Sequence, residues 1–196
     1  MSCKLPPEVA AYLEAVEADK PRACPEQHAL AAHIRQCFET EDLRVDTEQL
    51  RRYLSLSRYF PYKDLFLWER FLTALWMCTY TADGRPRWKT LFSMVGRGAG
   101  KDGFIAFISM CATSPYNPVG SYNVDICANN EEQAMTPVLD LVNTLELPKN
   151  EAKLKRFYYH TKELVQGRKN RGVVKGRTNN PKGRDLSLIH ISEPTR

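Results

Sequence analysis

The run Gly96-Arg97-Gly98-Ala99-Gly100-Lys101-Asp102-Gly103 constrains this chain more than any other stretch. Before it stands Thr90-Leu91-Phe92-Ser93-Met94-Val95, short and mostly apolar, which predicts a strand that is buried if it lies at the centre of a parallel sheet. After it, Phe104, Ile105, Phe107, Ile108 and Cys111 recur at helical spacing and predict a helix over 103–113, broken by Pro115 to Gly120. Strand, glycine-rich turn and helix in that order form the first unit of a βαβ fold. Tyr122 to Ala128 predicts the next strand, and Glu131 to Leu145 the next helix, with Pro137 inside it and Pro148 beyond its end. Phe157 to His160 and Gly172 to Thr178 are weaker strand candidates. No internal repeat is visible.

A glycine-rich loop between a strand and a helix is where a phosphate-binding P-loop belongs. Glycines let successive backbone N–H groups turn inward around phosphate oxygens, the following helix presents its positive end, and a Lys ammonium bridges the oxygens. Lys101 is therefore the first candidate residue. The sequence departs from the standard pattern twice: Val95 stands where the leading Gly belongs, and Asp102 where a Ser or Thr hydroxyl meets Mg2+. A carboxylate at Asp102 can ligate the metal directly, but near phosphate with no cation between them it opposes nucleotide binding.

The chain ahead of this unit reads as helical throughout. Val9, Ala10, Tyr12, Leu13 and Val16 follow Pro6 and Pro7 at helical spacing, and Leu30, Ile34 and Phe38 mark a second helix from about Glu26. Asp46 with Gln49 three residues on predicts an N-cap and a helix over 47–58, ended at Pro61. Leu65, Trp68, Phe71, Leu72, Leu75 and Trp76 share one face of a fourth helix, and Ala82-Asp83-Gly84-Arg85-Pro86 stops it.

Charge is unevenly placed. From Lys149 to Arg184 there are twelve Lys or Arg against two Glu, whereas Met1 to Pro148 carries fifteen basic and nineteen acidic residues. Such a basic segment fits either a phosphodiester backbone or a solvated surface with no ligand. The six cysteines, at 3, 24, 37, 78, 111 and 127, have no metal-knuckle or redox spacing and read as reduced thiols of a cytosolic protein. Met1 is followed by Lys4, Pro6 and Pro7 rather than an apolar run, and the apolar stretch Leu65 to Tyr80 contains Glu69 and Arg70, so a soluble chain without a membrane span is expected.

The variant loop, with an Arg early in it and no leading Gly, resembles that of the large terminase subunits of tailed bacteriophages. Three further stretches agree. Pro61-Tyr62-Lys63-Asp64-Leu65-Phe66-Leu67-Trp68-Glu69-Arg70-Phe71 resembles their adenine-recognition segment, with Glu69 in place of the usual Gln. Val124 to Ala134 resembles their second strand and the following helix start, and Thr178 to Asp185 the stretch before their second nucleotide motif. The resemblance covers about Phe60 to Asp185.

The resemblance implies a parent protein that drives phage DNA into a procapsid by ATP hydrolysis and cuts it with a C-terminal nuclease. It implies ATP and Mg2+ as cofactors and double-stranded DNA, a portal protein and a small terminase subunit as partners. It further implies a homo-oligomeric ring in the cytoplasm of the infected host. Lys101 would hold the phosphates, and Arg97, read otherwise as a surface charge, would stabilise the γ-phosphate like an arginine finger in cis. Gly96, Gly98, Ala99, Gly100 and Gly103 would line the nucleotide, and Asp102 would take the metal-ligand place. Trp68 and Glu69 would lie near adenine, although Trp68 equally suits a core aromatic.

Hydrolysis also needs an apolar strand ending in Asp and Glu, and the sequence has none: Glu131-Glu132 follows the polar pair Asn129-Asn130, and Leu139-Asp140 lies inside a helical pattern. Leu186 to Arg196 reads as an in-frame translation of a sequencing-library adapter, so it is set aside and His190 is given no role. The expectation is thus an α/β chain: a helical N-terminal arm over 1–59, an incomplete parallel-sheet P-loop NTPase domain over 60–185, and a non-native tail over 186–196. Such a chain is expected to bind ATP weakly, not to turn it over, and to aggregate when expressed alone. Two other readings stay open: a P-loop NTPase of another kind, such as a helicase or kinase, and a non-enzymatic nucleic-acid-binding protein using the basic segment.

Overall fold

In the computed structural model, residues 5–62, 64–96 and 98–178 are described, and the chain divides into two units: Met1–Ser55 with Asp64–Met94, and Leu56–Lys63 with Val95–Arg196. The predicted terminal stretch 179–196, including most of the Thr178 to Asp185 resemblance, lies outside the described residues.

Helices α1 (Pro7–Glu17) and α2 (Pro25–Thr40) begin the first unit, each with Pro at its first turn, where the missing N–H costs no helical bond. Val9, Leu13 and Val16, spaced to fall on one face of α1, are buried, as are Ala31, Ile34, Cys37 and Phe38 of α2. Helix α3 (Thr47–Leu54) starts where the sequence predicts, with Asp46 accepting a hydrogen bond from the Gln49 N–H at 2.9 Å, and it continues as a tight turn over Ser55–Tyr59. The fourth helix is short: α4 (Leu67–Leu72) gives way to a π-helical turn over Thr73–Met77. The Tyr12 ring of α1 stacks on Phe71 of α4 at 4.1 Å.

The wholly helical reading of this part is corrected by two three-residue strands. β1 (Leu43–Val45) pairs antiparallel with β2 (Thr79–Thr81), Leu43 opposite Thr81. Strands this short leave no alternation to read in sequence, and their neighbours hold them instead. Gln49 illustrates this: its amide donates to the Tyr53 hydroxyl at 3.0 Å and accepts from the Tyr80 hydroxyl at 2.8 Å, tying α3 to β2.

In the second unit, α5 (Lys101–Thr113), β3 (Val124–Ala128), α6 (Glu131–Glu146), α7 (Pro148–Leu154), β4 (Tyr158–His160), β5 (Leu164–Gly167) and β6 (Val173–Thr178) follow in order. The sheet runs β3-β6-β5-β4, with β3 and β6 parallel and the other two pairings antiparallel. The predicted parallel sheet is therefore corrected to a mixed one. β4 and β5 are joined by only three residues, too few for the crossover that a parallel pair requires.

The predicted strand over Thr90 to Val95 does not form either: those residues take no strand hydrogen bonds, and Phe92 and Met94 are 79% and 80% exposed. An apolar hexapeptide has strand propensity, but a strand exists only with a partner edge, and none of the described strands pairs with it.

Helices α5 and α6 cover one face of the sheet. The Tyr158 hydroxyl donates to the Met110 carbonyl at 3.1 Å, and a Cβ on Gly176 would lie 2.8 Å from the Ala134 carbonyl oxygen. The clearest close approach is at Gly167, where a Cβ would meet the Thr113 carbonyl oxygen at 2.0 Å and Asn170 Oδ1 at 2.4 Å. Both obstacles are held in place, one in backbone and one in a hydrogen-bonded amide, so neither can give way. Gly167→Ala is expected to cost at least the ~1–3 kcal/mol typical of overpacking, read as a lower midpoint in urea unfolding. An unchanged midpoint would contradict the packing described.

Candidate functional site

Helix α5 is the element that carries the candidate loop. From Ala106 to Thr113 every residue is buried, and Phe107 lies edge-on to Phe60 with centroids 6.1 Å apart. A helix buried on all sides is fixed by packing rather than by propensity. Its first turn, by contrast, is half open: Lys101, Asp102 and Gly103 are all of intermediate exposure.

The loop enters that first turn through two left-handed glycines. Gly98 has φ 80° and Gly100 φ 86°, a region that costs a residue with a Cβ about 1–2 kcal/mol. Gly100 is the N-cap of α5, and its carbonyl accepts from the Phe104 N–H at 3.0 Å. Between the glycines, the Ala99 N–H donates back to the Gly96 carbonyl at 3.1 Å, closing a tight turn. Left-handed residues in a tight turn just before a helix are a backbone form that turns N–H groups toward an anion.

Two charged side chains stand at the helix start. Lys101 Nζ lies 3.3 Å from Asp102 Oδ1, with the side chains 33% and 45% exposed. A second carboxylate is near: desolvation pushes the Asp140 carboxyl on α6 above its ordinary range, and the Asp102 charge adds to that. Leu139-Asp140 is set aside in the sequence because it lies inside a helical pattern; the fold, not spacing, puts Asp140 within the influence of the Asp102 charge. Mg2+ takes few protein ligands, often one or two carboxylates with phosphate oxygens, and Asp102 is a part-exposed carboxylate paired with Lys101 at the helix start.

Tyr62 holds the start of α5. Its hydroxyl donates to the Gly103 carbonyl at 2.8 Å, its ring stacks on Phe60 at 5.1 Å, and a Cβ on Gly103 would lie 3.2 Å from the ring. The proline-aromatic run that begins Pro61-Tyr62 is the sequence signal for this contact.

Gly96, Gly98, Ala99, Gly100, Lys101, Asp102 and Gly103 form the loop and first turn just described, while Arg97 lies outside the described residues. Trp68 and Glu69 belong to the first unit, on α4. Glu69 is 4% exposed, and its carboxylate accepts from the Phe66 N–H at 2.8 Å, so it caps the helix in which it sits. Burial pushes its carboxyl above the usual value, and the Phe66 hydrogen bond opposes that in part. Among the described residues, no three His, Cys, Asp or Glu side chains come together to hold a metal, and no helix is long and apolar enough to cross a membrane.

The fold is similar to one in the crystal structure of the HK97 bacteriophage large terminase, with a TM-score of 0.56 and 18% sequence identity over 74% of this chain. The chain spans only 30% of that protein's length. No family model matches the sequence, and no curated protein matches it either. A likeness at this identity shows a terminase-like mixed α/β fold.

Glu69 generates a prediction with a defined sign. Its folded pKa is raised above the ordinary 4.5, so the folded state holds the proton more tightly than the unfolded chain does. Its contribution to stability is therefore fully present below about pH 4.5 and is lost as pH rises through the folded value. Glu69→Gln, which keeps an acceptor for the Phe66 N–H without the charge, is expected to melt above the wild type at pH 7 and level with it near pH 4. A variant less stable at pH 7 would contradict the account.

Proposed function

We propose that this chain is the front portion of an ATPase motor of terminase type, in which Gly96 to Gly103 cradles the triphosphate of ATP. The observation that carries the reading is the pair of left-handed glycines, 98 and 100, placed directly before the buried helix α5, with Lys101 at its first position. That arrangement offers backbone N–H donors, the positive helix end and an ammonium to one polyanion. The terminase-like fold supports the same reading.

Lys101 would bridge the outer phosphate oxygens on leaving its contact with Asp102, and Asp102 would then be free to hold Mg2+, which neutralises phosphate charge when bound. Asp140 lowers the local potential beside that position. Tyr62 braces the Gly103 carbonyl and so fixes the first turn on which the phosphates rest. Arg97 would stabilise the γ-phosphate. In the longer parent the cycle would drive double-stranded DNA through a homo-oligomeric ring, assembled with a portal protein and a small terminase subunit in the host cytoplasm.

Calorimetric titration with ATP and Mg2+ tests this. Lys101→Ala is expected to weaken binding about tenfold or more, the loss of charge-assisted hydrogen bonds worth ~1.5–3 kcal/mol, with the melting temperature of the free protein unchanged. Equal affinity in wild type and variant, or no binding to the wild type, would overturn the proposal.

A further inference from the structure

The second unit holds another concavity, made by α7 and the β4–β5 hairpin, with a half-open volume of about 250 Å3. Its floor is apolar, from Leu145, Leu154 and Tyr158, all buried, and its rim is polar, from Glu151, Lys155, Tyr159, His160 and Arg168. Arg168 is fixed there by backbone. Its Nε donates to the Lys155 carbonyl at 2.9 Å and the Tyr158 carbonyl at 3.2 Å, and its guanidinium lies 5.8 Å from the centre of the Tyr159 ring. Its two terminal amino groups have no acceptor among the described residues. His160 lies 3.7 Å from a Glu146 carboxylate oxygen, and Lys155 makes no ion pair among the described residues.

An arginine held by its Nε over an aromatic ring, with both terminal amino groups unclaimed, is pre-organised for the paired oxygens of a phosphate or carboxylate. Pocket size narrows the choice. Small-molecule sites usually run from about 300 Å3 upward, so this one suits a phosphate and part of its sugar rather than a whole cofactor. The surroundings point to a polymer: residues 149–178 carry ten Lys or Arg against two Glu, and Lys153, Arg156, Lys162, Lys169 and Arg171, outside the cavity lining, are exposed. A polyanion gains from such a field by shedding counterions along its length.

We propose that this cavity seats a backbone phosphate of a DNA duplex, with Arg168 donating through its two terminal amino groups and Lys155 supplying a second cation. The site is separate from the nucleotide loop and stands or falls independently of it.

Fluorescence anisotropy with a short labelled duplex, measured across a salt series, tests the site. Lys155→Glu and Arg168→Ala are each expected to weaken binding roughly tenfold and to reduce the salt slope by about one, as for a lost phosphate contact. Arg168 also ties β4 to the end of α7, so Lys155→Glu, which breaks no such tie, keeps the test sound if Arg168→Ala fails to fold. A control pair off the rim, Lys153→Ala with Lys169→Ala, is expected to lose less than either, and Lys101→Ala is expected to bind as the wild type does. The proposal is overturned if Lys155→Glu leaves affinity and slope unchanged, if the control pair loses as much, or if Lys101→Ala loses as much. It is also overturned if a polyglutamate peptide of matched charge competes as well as DNA.

Discussion

Asn170 commits its whole side-chain amide to backbone: Nδ2 donates to the Ala112 and Ser114 carbonyls at the end of α5, and Oδ1 accepts from the Gly172 N–H ahead of β6. A buried amide with every bond made is rigid, and an unmade bond there is costly. Beside it, the missing side chain of Gly167 lets the Thr113 carbonyl come closer than any Cβ would allow. Together these contacts fix the C-terminal end of α5 against β5 and β6. Because a helix is stiff, fixing one end aims the other, and at that other end stand Gly98, Gly100 and Lys101.

The second unit is built around that constraint. Tyr158 reaches Met110 in the last turn of α5, Phe60 meets Phe107 one turn earlier, and Tyr62 holds the Gly103 carbonyl at its start. Of these, Phe60 and Tyr158 are buried, and each adds roughly 1.5–3 kcal/mol of burial. The loop is thus a short flexible-looking sequence mounted on a fully packed rod. A phosphate site needs that combination, since N–H groups must converge without a large ordering cost when the anion arrives.

Much of this was legible in the residues. The Asp46 and Gln49 pair marked the start of α3, Pro6 and Pro7 stood ahead of the apolar spacing of α1, Leu30, Ile34 and Phe38 marked α2, and the apolar spacing after Gly103 marked α5. These signals are local, and local chemistry decides them. What was not legible depends on partners distant in sequence. β1 and β2 are three residues each, β5 was not anticipated, and antiparallel pairing of β4, β5 and β6 follows from the three- and five-residue connections between them. Thr90 to Val95 shows the reverse failure: its composition is that of a strand, yet composition cannot supply the edge on which a strand lies. The loop glycines were found from sequence, whereas Tyr62 and Asp140 reach the site only through folding, one from a preceding turn and one from α6.

The central claim is that the turn formed by Gly98, Ala99 and Gly100 gathers backbone N–H groups around phosphate oxygens. Amide chemical shifts of the labelled chain, followed by NMR while inorganic triphosphate and Mg2+ are added, examine those groups directly. The account predicts that the largest saturable shifts fall on Gly98, Ala99, Gly100, Lys101 and Asp102, with the interior of α5 unmoved. Loop amides that stay still while the added anion perturbs some other surface would contradict it.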